Sequence, residues 1–339
     1  MRLFLEESER RPRALWRLLA QYVFFAVAAT LFLYLLKFAW ALVRPSGTGL
    51  GGTAQTAVGS SDLLLTGSLA SLAAIFLSLW LAGRFLDRRP FADFGFHLSK
   101  GWLLDLFFGM LLGALLMTFI FLTQLAFGWV SVTGSFEAVT PGASFVPEIL
   151  LPIGIFVCVG FYEEMLYRGY LLRNLAEGLN FPGLGPRGAI LAAWLLSSSA
   201  FGILHAFNPN ATLASTINIA LAGLLLGLGY VLTGELAIPI GLHIAWNFFQ
   251  GNVYGFPVSG LNPIGATFLT IKQGGPDLFT GGVFGPEGGL LEPAAVLLGC
   301  LLITLWVRLR HRRAAIQTHL AERPKQVLLK GERSHQMRL

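Results

Sequence analysis

Charge is what this sequence has least of. Only 12% of its 339 residues are Asp, Glu, Lys or Arg, against about 25% in an ordinary soluble domain. With 55% hydrophobic residues and a mean hydropathy of +0.66, that scarcity overrides the two soluble domains that length alone would suggest. Cysteine is nearly absent. Cys158 and Cys300 lie in separate apolar stretches, which excludes a disulfide framework and a CxxC zinc site and leaves both as small core residues. There is no internal repeat and no H-E-x-x-H motif. A cleavable signal peptide is also missing. The N-terminal basic region is long, the apolar run after it is about twenty residues, and WALVRPSG offers no A-x-A-like cleavage site. The run is read as an uncleaved first span.

What is present is long apolar runs with basic ends. A helix needs about 20 apolar residues to cross a ~30 Å hydrocarbon core. Eight stretches meet or approach that length: 18–40, 63–83, 102–127, 146–166, 188–207, 212–232, 237–254 and 290–307. The pI near 9.6 comes from Arg2, Arg10, Arg11, Arg13 and Arg17, from the loop with Arg84, Arg88, Arg89 and Lys100, from Arg168, Arg173 and Arg187, and from the Lys- and Arg-rich stretch 308–339. Basic charge confined to alternate loops is a topology signal rather than a nucleic-acid footprint, and it places both termini in the cytoplasm. The expected fold is therefore an all-α, polytopic transmembrane helix bundle of about eight spans. Residues 44–61 and 255–289 are Gly-rich and read as loops on the far side. The tail from 308 is expected to be exposed, and partly helical or disordered.

Ionisable groups at membrane depth cost at least ~2.5–3.5 kcal/mol each on insertion scales and call for a reason. Of six histidines, only His205 and His243 fall inside apolar spans, and Glu163 and Glu164 sit in the fourth. Adjacent helical residues point about 100° apart, so Glu163 and Glu164 are not expected to face one partner. Glu164 and Arg168 stand at i,i+4 with the acid first, the favourable order for an ion pair. Glu163 is left without a local partner, and a carboxylate in an apolar wall suits general-base work. His205 follows Phe201 by one turn. His243 and Asn247 share a helix face and can hydrogen-bond one small species. Each of these also has an ordinary explanation. The glutamates could be interfacial residues, His205 a solvated helix end, and His243 and Asn247 polar groups that satisfy each other or a neighbouring helix.

Taken in order, Glu163-Glu164-x-x-x-Arg168, Phe201-x-x-x-His205 and His243-x-x-x-Asn247 resemble the three motifs of the CAAX prenyl protease and bacteriocin-processing (CPBP, or Abi) membrane endopeptidases. The resemblance covers about residues 145–255. Arg88-Arg89-Pro90 with Phe94-Gly95 looks like the basic turn that precedes this region in such chains. On this basis residues 1–144 are N-terminal transmembrane helices and 145–255 the catalytic core. Residues 256–307 are a far-side loop and the last span, and 308–339 a basic cytoplasmic tail.

The resemblance implies hydrolysis of a peptide bond in a membrane-embedded or lipid-modified peptide, in the bilayer of a bacterial plasma membrane, with no nucleic-acid partner. In the preferred scheme Glu163 activates water, His205 helps to hold it, His243 and Asn247 stabilise the oxyanion, and Glu164, with Arg168 in support, orients the helix and fixes the electrostatics around Glu163. No cofactor is required. A zinc version would use Glu163, His205 and His243. Two other classes share the polar pocket: a non-catalytic membrane binding or immunity protein, and a secondary transporter, against which the missing repeat counts. His205 lies about seventeen residues into its span, ~25 Å deep, while Glu163 and His243 lie nearer the cytoplasmic end. Their meeting requires that the fifth span begin well into the cytoplasm, tilt strongly or have a different boundary. A long cytoplasmic extension of the fourth and fifth helices past Leu171 and Arg187 would do it, and a cavity open to the cytoplasm is expected.

Overall fold

A computed structural model describes residues 5–6, 11–43 and 60–324. All but the last two residues of the far-side loop expected at 44–61 fall outside them, as do residues 325–339 of the tail. A short antiparallel pair, β1 (Leu5–Glu6) and β2 (Arg11–Pro12), precedes α1 (Ala14–Val43). α2 (Ser60–Leu81) runs on through a π-helical stretch, Ala82–Asp87. After α3 (Lys100–Ala126) comes β3 (Val130–Ala138). α4 (Phe145–Glu164) continues through a π-helical stretch, Met165–Leu172, into α5 (Arg173–Leu179). α6 (Gly185–His205), α7 (Leu213–Thr233) and α8 (Ala237–Phe248) follow, the last closed by a π turn over Phe249–Val253. β4 (Ala266–Gln273), the one-turn α9 (Asp277–Thr280) and α10 (Leu291–His311) complete the order.

Seven helices among the described residues are long and apolar enough to cross a membrane: Ala14–Leu42, Leu63–Asp87, Lys100–Ala126, Phe145–Leu179, Gly185–His205, Leu213–Thr233 and Leu291–His311. Their outer faces carry large apolar side chains that would be costly in water, among them Phe38, Phe107, Leu150, Leu195 and Leu301, each more than half exposed. The chain is an integral membrane protein built as a helical bundle. The eighth span expected at 237–254 is instead α8, twelve residues long and buried over Ala237–His243 and Ala245–Asn247. It is a central helix wrapped by α3, α4 and α7 rather than a lipid-facing one, and that enclosure is why so short a helix can carry polar groups.

Small residues bring α8 to its place. Gly109 and Gly113 on α3 form a G-x-x-x-G step, and Gly241 on α8 faces back toward Leu106. A Cβ at Gly113 would lie 2.6 Å from the Leu242 carbonyl oxygen and 2.8 Å from the Trp246 nitrogen. Backbones this close are the usual device for helix association where lipid removes the hydrophobic driving force. The start of α8 is fixed by the turn after α2. Gly95 adopts φ +106°, a conformation disfavoured for residues with a side chain, and its carbonyl accepts from the Leu236 N–H at 3.0 Å.

The arginines at the basic end do more than mark topology. Glu177 at the end of α5 receives Arg11 at 2.7 Å, Arg17 at 2.8 Å and Arg89 at 2.5 Å, and Arg17 also meets Asp87 at 3.3 Å. All five side chains are buried. They join the entry to α1, the π stretch after α2 and the Arg88-Arg89-Pro90 turn to α5.

At the other end, two segments expected to be loops form an antiparallel ribbon. β3 pairs with β4 from Val130↔Gln273 to Ala138↔Ala266, with an irregularity between Val132 and Gly134. The first part of the tail is also not free. Gln317 donates its backbone N–H to the Val231 carbonyl, Asn180 donates to the Ala321 carbonyl, and Leu320 and Ala321 are buried against the ends of α5 and α6. Two apolar side chains in a mostly polar stretch account for this departure from an exposed tail.

Two stability effects are expected. Gly113→Leu should cost about 1–3 kcal/mol by overpacking and lower the thermal unfolding midpoint in detergent, whereas Gly67→Ala, where a Cβ would meet nothing within 4 Å, should leave it unchanged. Glu177→Ala should cost about 3–5 kcal/mol, because it leaves buried arginines without their carboxylate. The same unfolding measurement reads both.

Candidate active site

α4 delivers two adjacent carboxylates with different fates. Glu164 is fully buried. Its Oε1 accepts from Arg168 Nη1 at 2.9 Å, as the i,i+4 spacing predicts, and also from His243 Nδ1 at 2.8 Å. Arg168 in turn donates from Nη2 to the Gly223 carbonyl of α7 at 3.0 Å and lies 4.6 Å over the Phe201 ring of α6. One buried ion pair thus ties together α4, α6, α7 and α8. The Glu163 carboxylate points the other way. Its side chain is 16% exposed, and Oε2 stands 3.8 Å from His243 Nε2 without a hydrogen bond.

Both glutamates therefore address one residue, contrary to the expectation from their 100° divergence. An imidazole is a two-ended partner, and each carboxylate meets a different nitrogen. Because the Glu164 carboxylate accepts, His243 carries its proton at Nδ1 and turns Nε2 toward Glu163. His205 at the end of α6 is oriented the same way. Its Nδ1 lies 2.7 Å from the Phe201 carbonyl oxygen, which can only accept, so Nδ1 is the protonated atom and Nε2 is left for the cavity. Asn247, one turn beyond His243, is 8% exposed and lines the same cavity.

That cavity has a volume of about 310 Å³ and is walled by α4, α6, α7 and α8, with Leu64 and Ser68 of α2 on one side. Glu163, His205, His243 and Asn247 all line it; Glu164 and Arg168 lie behind the wall. No lining residue comes from the basic-end loops. The remaining wall is Val258, Ser259, Leu261, Asn262, Pro263, Ile264 and Glu287, from the segment after α8. The expectation of a cavity facing the basic end is corrected accordingly. The extension of the fourth helix is real, since α4 runs on to Leu179. That places Glu163 in mid-helix, ~24 Å from the basic end, and the Glu164–Arg168 layer separates the cavity from that end.

Sequence reasoning missed the far wall. Asn208 and Ser259 line the cavity, and Glu287 enters it from the Gly-rich segment 281–290, held at Oε2 by the Ser259 N–H at 2.5 Å and hydroxyl at 3.1 Å. The available signal was a single acid set between glycines, Gly285-Pro286-Glu287-Gly288-Gly289.

Zinc was one expected occupant. Among the described residues no group of three or more His, Cys, Asp and Glu is gathered to hold a metal ion. Of the expected set, Glu163 and His243 approach each other at 3.8 Å, and His205 lines the same cavity.

Residues 145–249 match the family model described as type II CAAX prenyl endopeptidase, Rce1-like. The matched segment contains Glu163, Glu164, Arg168, His205, His243 and Asn247, and it stops short of Glu287. No curated protein and no solved structure matches the chain.

Glu164→Gln should strand the buried Arg168 charge and release the His243 ring. We expect a loss of about 3–5 kcal/mol, read as a lower unfolding midpoint in detergent. A double-mutant cycle with Arg168→Met should show strong coupling, and additive effects would contradict the shared ion pair.

Proposed function

We propose, for a membrane protein whose residues 145–249 are an Rce1-like domain, that it is an intramembrane endopeptidase working through a glutamate-activated water. The observation that carries this reading is Glu163. It is a carboxylate on a cavity wall with no hydrogen bond to Oε2, 3.8 Å from an imidazole whose other nitrogen is anchored.

Water bound between Glu163 and His205 Nε2 gives a proton to Glu163 as its oxygen bonds to the substrate carbonyl carbon. The developing oxyanion accepts a hydrogen bond from Asn247 Nδ2 and, once the ring takes a second proton at Nε2, one from His243. Such donors are worth about 2.7–4 kcal/mol each. Collapse of the tetrahedral intermediate breaks the C–N bond, and Glu163 returns its proton to the leaving nitrogen. The products are a carboxylate and an amine. Glu164 and Arg168 do not touch the substrate in this scheme; they hold the His243 ring and lock four helices around it.

The substrate is a membrane-embedded or lipid-modified peptide. Two features support that class: the cavity lies inside the bundle, and most of its lining is apolar, including Ile155, Val159, Ile219, Leu225 and Leu242. The positive-inside rule puts the Arg-rich end in the cytoplasm. A non-catalytic binder would use the same cavity but would not need the Glu163 base.

Cleavage of bilayer-inserted peptides separates the two readings. Glu163→Gln should lower the rate by about 10²–10⁴-fold, and Asn247→Ala by about 10²–10³-fold, both with unchanged unfolding midpoints. Full activity in Glu163→Gln would overturn the proposal.

A further inference from the structure

The cavity contains a buried acid that the proposed hydrolysis does not use. Glu287 is 7% exposed, lies beyond the family-matched segment, and shares the cavity wall with His205 and Asn208. It is built in rather than adventitious. Ser259 holds Oε2 with two hydrogen bonds, and Asn218 on α7 grips the Glu287 and Gly289 carbonyls at 2.9 Å each. Gly285, with φ +99°, packs against the Pro257 carbonyl, which keeps this turn pressed onto the segment after α8.

What Glu287 lacks is a cation. No Lys or Arg lines the cavity, and none of the described residues forms an ion pair with it. The neighbouring Glu292 is itself fully buried, with neither carboxylate oxygen hydrogen-bonded. Burial pushes the Glu287 carboxyl above the ordinary range, against hydrogen bonds from Gln250 and Ser259 that favour its charged form. A carboxylate desolvated to this degree is normally paired. The nearest group able to carry positive charge toward it is the His205 imidazole, and a permanent cation has to come from what enters the cavity.

We propose that Glu287, with Asn208 and Ser259, forms a specificity subsite at the far end of the cavity that takes a cationic side chain of the peptide substrate, a lysine or arginine close to the scissile bond. The inference rests on the endopeptidase reading for its substrate. It adds a sign to it: the cavity rejects an acidic residue or a free carboxylate in that subsite and accepts a base. Glu287 acts on recognition, not on the reacting atoms.

The test uses the full-length protein and bilayer-inserted peptides that differ only in carrying Lys, Gln or Glu at each position flanking the cut. Two readouts are taken: cleavage by the wild type, and binding of fluorescent peptide to the Glu163→Gln variant. The Lys peptide should be preferred over its Glu counterpart by about tenfold or more in both. Glu287→Gln retains an acceptor for Ser259, and it should bring the ratio to within about twofold. Glu287→Lys should reverse the preference. A purely structural role would slow all three peptides alike. Absence of a Lys preference in binding to the Glu163→Gln variant, or a ratio untouched by Glu287→Gln, overturns the subsite. A Lys preference in binding without wild-type cleavage would sustain the subsite and overturn the endopeptidase reading instead.

Discussion

The structure depends on one buried carboxylate serving two donors. Glu164 Oε1 holds both Arg168 and His243 within 2.9 Å, in a part of the bundle with no solvent to share the charge. An ion pair here is costly to assemble and more costly to break. Geometry follows from it: Arg168 reaches α7 and stacks on α6, His243 comes from α8, and α4 supplies the acid. The interior is therefore cross-braced at the depth where Glu163 faces the cavity.

Division of labour between neighbouring glutamates is the second consequence. Glu163 and Glu164 differ by one step of the helix, which turns one toward the cavity and the other toward the bundle interior. The first stays without a hydrogen bond at Oε2; the second has two donors on Oε1. Identical side chains thus acquire opposite tasks from direction alone. The π-helical stretch beginning at Met165 keeps Arg168 within reach of Glu164 while the helix runs on to the basic end, in keeping with the frequent use of π segments at functional sites.

Much of this was legible before any coordinates. Hydropathy marked seven spans to within about four residues, except that the fourth runs on past its expected end at 166 to Leu179, and the i,i+4 spacing of Glu164 and Arg168 predicted their pairing. His243 and Asn247 do share a face. The failures have physical causes. Residues 237–254 are as apolar as a span, and composition cannot distinguish a helix enclosed by other helices from one enclosed by lipid. Gly109-x-x-x-Gly113 was readable as a packing motif but went unused. The alternation in β3, V-S-V-T, is period two, but it lies between long apolar runs that drew the reading toward loops. Arg11, Arg17 and Arg89 carried a correct topology signal, yet their convergence on Glu177 depends on contacts across as many as 166 positions. Glu287 was unreadable for the same reason: only the fold brings a glycine-flanked acid from the far side into the cavity lined by His205.

The central claim is that water, activated at Glu163, cleaves a peptide bond inside this cavity. Its most direct test is mass spectrometry of the products after incubating the purified protein with a bilayer-inserted peptide in heavy-oxygen water. The account predicts one heavy oxygen in the new C-terminal carboxylate of the wild-type product and no product from Glu163→Gln. Intact peptide with the wild type, or labelled product at full rate from the variant, would contradict it.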